Sequence, residues 1–193
     1  MTRQAFPPGP FEEAPWPTQL QARVVTAEGA ARIHGYSVEE DLARHYRLGE
    51  VMLLTLTGRI PSAEEGAFFE EVLIRLSPVT VAEAPVHAAL ISRCAGARSP
   101  GTLMVGLVGL VEQARHLVES SAPLLEALAR PGAGPPPGFE ARNDADREAG
   151  RALEARWPPG WSSAPPLGEL SAEAALLVCL AACGLTAPWQ MEA

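Results

Sequence analysis

The sequence predicts an all-α protein, a multi-helix bundle around one buried central helix. Three observations carry that expectation. Two capping boxes, Ser37 to Glu40 and Ser62 to Glu65, each open a stretch with apolar residues at helical spacing. The segment 101–112 is apolar nearly all round, the pattern of a helix covered on every side. Strand-like patterning is confined to one short run, Ala22 to Thr26, where Glu28-Gly29 allows a small hairpin within residues 20–34.

The elements follow in order. Residues 1–19 form a Pro-rich arm, because Pro7, Pro8, Pro10, Pro15 and Pro17 exclude a helix or a central strand. Residues 20–193 form the helical domain. After Ser37, apolar Val38, Leu42, Tyr46 and Leu48 line one side, and Gly49 is expected to interrupt the helix. Val51 to Leu56 resumes it until Gly58, and Gly58-Arg59-Ile60-Pro61 reads as a turn. Phe68, Phe69, Val72, Leu73 and Leu76 then mark a helix that Pro78 ends. Leu90, Ile91 and Cys94 share a face of a short helix over 85–97. Ser99-Pro100 supplies a cap and a first-turn proline for a long segment, roughly 100–129. Gly106 and Gly109 each cost ~1 kcal/mol inside a helix relative to Ala, so a neighbouring helix is expected to approach there. Residues 131–138 are loop, 140–156 a charged helix, 157–166 a second loop and 170–184 a last apolar helix ended by Gly184.

Composition excludes several function classes. With 23 acidic against 15 basic residues the chain carries −8, which disfavours a nucleic-acid phosphate track. No window approaches the ~18 apolar residues of a membrane span, and the N-terminus lacks the apolar core of a secretory signal. Every basic residue is arginine, so lysine Schiff-base, P-loop and general-base chemistry is absent. Cys94, Cys179 and Cys183 lie in apolar runs and read as small buried residues of a cytoplasmic protein. Cys179 and Cys183 lack the further ligands of a metal site, and His34, His45, His87 and His116 are far apart, so no metal is expected. Glu140, Asp144 and Asp146 read better as a solvated face than as catalytic carboxylates.

One stretch is more specific. Ile33-His-Gly-Tyr-Ser-Val-Glu-Glu-Asp-Leu42, then Leu48-Gly-Glu50-Val-Met-Leu-Leu-Thr-Leu-Thr-Gly58-Arg-Ile-Pro61 followed by Glu64 and Glu65, resembles the N-terminal region of citrate synthases and citryl-CoA lyases. Val86 to Arg93, Ser99-Pro100 and Gly106-Leu107 look like that family's helix pair leading into its long central helix. Pro131-Gly-Ala-Gly-Pro135 with Asp144-Ala-Asp-Arg147 resembles its glycine-rich segment. Ser171-Ala-Glu173-Ala174 with Cys183-Gly-Leu185 resembles a later helix. The resemblance spans about residues 30–187.

The resemblance implies a mostly helical dimer, paired with itself or with a homologous chain. It also implies chemistry on a C–C bond between an acyl-CoA and a 2-oxo acid. No cofactor is implied beyond an acyl-CoA or CoA ligand, with a dicarboxylate as the second ligand. Carried over by position, Glu173 stands at the catalytic base. Arg147 stands at a dicarboxylate-binding arginine, and His87 is the remaining histidine near the substrate-binding segment. Glu173 reads equally as an acidic residue favouring the first turn of its helix. The family's three histidine positions hold Ala114, Pro135 and Val79, none of which has a side-chain donor. His116 lies ~200° round the helix from Ala114. The family's C-terminal arginines find no counterpart, so the domain is expected to be shortened there. The expected function is a citrate-synthase-like or citryl-CoA-lyase-like pseudoenzyme, a non-catalytic binding or regulatory subunit. The alternative is a divergent acyltransferase or lyase, and a third reading is an unrelated helical interaction protein.

Overall fold

The computed structural model describes residues 30–128, 135–161, 166–187 and 190–191. The whole of the Pro-rich arm and the run Ala22 to Thr26 lie outside these. The chain divides into two compact units, Met1–His45 and Tyr46–Ala193.

In the first unit, β1 (Arg32–Ile33) and β2 (Tyr36–Ser37) form a small antiparallel ladder, pairing Arg32 with Ser37 and Ile33 with Tyr36. His34 and Gly35 make the turn, both at positive φ (49° and 91°), as a tight two-residue hairpin requires. The residue pattern did not point to this hairpin at 32–37, and the one expected from Ala22 to Thr26 with Glu28-Gly29 lies outside the described residues. Ser37 then caps the next segment as expected, its Oγ accepting from the Glu40 amide at 3.1 Å, while its own amide donates to Asp41. The helical turns that follow are a π-helical stretch over Val38–Leu42 and α1 (Ala43–His45).

The second unit begins with α2 (Leu48–Thr57) and α3 (Ala63–Leu76), which pack on each other. Gly49 lies inside α2 and does not interrupt it. A Cβ there would strike the Glu70 side chain of α3, and the Gly49 amide donates to Glu70 Oε1 at 2.9 Å. Glycine serves close approach there, which sequence alone does not separate from a break. The Ser62–Glu65 box forms reciprocally, with Ser62 Oγ accepting from the Glu65 amide and Glu65 accepting from the Ser62 amide.

Helices α4 (Ala84–Cys94) and α5 (Ser99–Ser120) form an antiparallel hairpin. A turn at the buried Ser121 separates α5 from α6 (Ala122–Leu128), so the long segment is two helices. Then come α7 (Asp144–Glu154), a 3₁₀ turn over Leu167–Glu169, and α8 (Ala172–Ala182). Gly184 ends α8 at φ 96°.

The core corrects the expected arrangement. The central helix is α8, where Ala174, Ala175, Leu177, Val178, Cys179 and Leu180 are all buried. Phe68, Phe69 and Val72 of α3, Leu124 of α6 and Leu153 of α7 join the same cluster. Phe68, Trp157 and Trp161 close one edge, each ring edge-on to the next with centroids 5.9–6.4 Å apart. The 101–112 segment is not buried: Leu103 is 62 % exposed, Leu107 43 % and Leu110 40 %. Among the described residues it packs chiefly on α4, and uniform apolarity cannot say whether its own chain covers a helix. Leu90 and Ile91 of α4 are exposed too, as is Cys94.

Candidate functional site

The beginnings of α7 and α8 are brought together by backbone. The Ala141 amide donates to Glu169 O and the Ser171 amide to Phe139 O, both at 2.8 Å, as a short antiparallel bridge. Asn143 caps α7 by accepting from the Asp146 amide, and Ser171 caps α8 by accepting from the Ala174 amide. Glu173 stands in the first turn of α8, where a carboxylate suits the helix dipole. Its side chain is 64 % exposed and pairs with Arg142 at 3.4 Å. Arg147 lies on α7 and holds Asp144 at 2.9 Å.

Beside α7 runs a groove of about 520 Å³ lined by Pro135, Glu140, Arg147, Arg151, Glu154 and Gly168, among others. Its floor is set by close contact, because Gly150 lies directly against the Leu167 carbonyl. Glu154 is committed to structure, accepting from the Leu167 amide at 2.5 Å. Glu140 accepts from the Gly138 amide at 2.7 Å. Arg147 and Arg151, one helical turn apart, are the cationic groups that face this space. Arg151 was not singled out from sequence, although its i+4 spacing from Arg147 was visible there. Two guanidiniums on one helix face suit a carboxylate or phosphate group.

The three sequence-predicted residues do not form one constellation. Arg147 lines the α7 groove, whereas Glu173 stands at the start of α8 paired with Arg142. His87 lies exposed on α4 and lines neither this groove nor the one on the hairpin. Pro135 shares the α7 groove with Arg147, while Val79 lines the hairpin groove and Ala114 lies on α5. Among the described residues no group of three or more His, Cys, Asp or Glu could hold a metal ion. No described helix is long and apolar enough to cross a membrane.

The second groove, about 550 Å³, runs along the hairpin between Val86, Ala89 and Arg93 of α4 and Leu103, Leu107 and Leu110 of α5. The helices approach closely, with Gly106 against Ala89 and Gly109 against Pro85, as the two glycines led one to expect. Gln113 donates to Glu83 at 2.9 Å and fixes one end of the pair. The Thr80 amide also donates to Glu83, and together these bonds hold its carboxyl below the usual range. Burial pushes the Cys179 and Cys183 thiols up to about 12, so both are inert core groups.

The chain matches no known family model, and no curated protein is significantly similar to it.

Proposed function

We propose that this chain is a citrate-synthase-like subunit that binds and associates but does not catalyse. The exposed apolar α4–α5 hairpin carries this reading, because a surface of that kind is built to be covered by another chain. The residue order over 33–76 supports the family assignment. The chemistry supports the loss of catalysis. An enolate formed from a thioester needs a donor at its oxygen, and Ala114, Pro135 and Val79 offer no side-chain donor. Pro135 has no backbone N–H either. Glu173 is in solvent and engaged by Arg142, whereas a general base gains from a shielded position.

The groove with Arg147 and Arg151 favours a second reading, a divergent enzyme making or cleaving a C–C bond between an acyl-CoA and a 2-oxo acid. Calorimetry against acetyl-CoA, CoA, citrate and oxaloacetate, with a thiol-release assay beside an active relative, separates the two. Loss of two oxyanion donors predicts turnover at least ~10⁴-fold below that relative. Rates within about tenfold of it, abolished by Glu173→Gln, would establish the enzyme reading instead.

A further inference from the structure

We propose that a pocket between α2, α3 and α8 binds an uncharged apolar small molecule of about ten carbon atoms. The pocket, about 260 Å³, shares no lining residue with the two grooves described above.

Its floor belongs to the core, where Phe69 of α3, Leu180 of α8 and Leu185 are buried. Leu56 of α2 and Leu73 of α3 are half-buried walls, and Met52 stands exposed at the rim. The remaining wall comes from the segment after α8. Gln190 and Met191 line the pocket there, and one side chain pins them. Gln190 Nε2 donates to Leu56 O at 2.7 Å, while Oε1 accepts from the Thr186 and Ala187 amides at 3.0 and 2.9 Å. An amide bonded at both ends holds this wall in place before any ligand arrives, which lowers the cost of binding.

Size and chemistry define the ligand. Close-packed interiors leave few voids larger than a water molecule, and an apolar cavity of ~150 Å³ takes one benzene ring. In proportion, 260 Å³ suits about ten carbons, or two fused rings. No described lining residue is charged. The polar side chains among them are Thr55 and Gln190, and both are already engaged, Thr55 Oγ1 donating to Val51 O at 2.8 Å. An ionised group entering the pocket would lose its water and gain no partner. The pocket therefore selects against carboxylates and phosphates, the groups that suit Arg147 and Arg151. Met52 and Met191, flexible and polarizable, let the walls close on the rings.

Naphthalene is the probe, read through carbon-13-labelled methionine methyls of the full chain. Met52 and Met191 line the pocket, whereas Met104 stands exposed on α5. Ring currents should shift the Met52 and Met191 methyls along one saturable curve and leave Met104 in place. 2-Naphthoate, the same rings with a carboxylate, should bind at least ~10-fold more weakly. Met52→Trp fills the rim without touching the floor. It should weaken naphthalene binding at least ~10-fold, read at Met191, with circular dichroism unchanged. Gln190→Ala should weaken binding several-fold by freeing the wall. No shift at Met52 and Met191 in a naphthalene-saturated solution overturns the proposal, and this reading needs no variant to fold. A shift at Met104 matching theirs also overturns it, since that is adsorption to the exposed hairpin. Equal binding of 2-naphthoate overturns the uncharged class, and affinity indifferent to Met52→Trp overturns the site.

Discussion

Gly150 of α7 lies against the carbonyl of Leu167 so closely that a Cβ would collide with the backbone of Leu167 and Gly168. This contact holds the 3₁₀ turn beneath α7 and shapes the groove that Arg147 and Arg151 line. A colliding side chain would meet backbone, which cannot rotate away. Gly150→Ala is therefore expected to destabilise by ~1–3 kcal/mol, the usual cost of overpacking, despite Ala's better helix propensity. Denaturant unfolding with unchanged m would register it as a lower midpoint.

The glycines of α5 should behave oppositely to each other. At Gly101 the nearest atom to a new Cβ is Ala97 Cβ at 3.8 Å, an ordinary contact. Gly101→Ala should gain up to ~1 kcal/mol from helix propensity. At Gly109 the Pro85 Cα would lie at 3.1 Å, so Gly109→Val should separate α4 from α5. Thermal unfolding of the two variants should move Tm in opposite directions.

Thiol labelling should divide the cysteines by burial. Cys94 is exposed, while desolvation raises Cys179 and Cys183 to about 12. At pH 8 an aromatic disulfide reagent should titrate Cys94 alone in the native chain and all three thiols in denaturant. Rapid reaction of all three without denaturant would contradict the α8 core.

Acid should remove one identifiable contribution. The Arg59 guanidinium, bonded to Glu65 at 2.9 Å and 3.1 Å, holds that carboxyl below its ordinary value of 4.5. A carboxylate whose pKa is lower folded than unfolded stabilises the fold above the unfolded value. That contribution fades as pH falls below about 4.5 toward the folded value. Arg59 is half exposed, so the pair should contribute under ~1 kcal/mol. Glu65→Gln keeps an acceptor for the Ser62 cap and removes the charge. The stability gap between wild type and variant at pH 7 should close near pH 3.

Local signals were legible wherever the physics is local. The Ser62–Glu65 box is formed within four residues, and Gly58 and Gly184 end helices through their own backbone freedom. The candidate site was legible only in part. Arg147 could be placed on a charged helix, but the groove it lines is closed by Pro135, Pro166 and Gly168, which other parts of the chain bring to α7. Gly49 was misread because its constraint, Glu70, lies on another helix.

The sequence by itself determined that this is a helical chain, where most of its helices lie, and that two glycines of α5 admit a close neighbour. Each follows from propensity, capping and periodicity, which act within a few turns of chain. Only the tertiary structure decided which apolar helix is the core. The first half of α5 and α8 beyond Glu173 are both apolar nearly all round, and transfer from water favours burying either. Helix α8 is enclosed by α3, α6 and α7, whereas α5 meets α4 along one side and leaves Leu103, Leu107 and Leu110 in solvent. Hydrophobicity measures the drive to be covered, and only the packing of the chain shows how much of that covering it supplies itself.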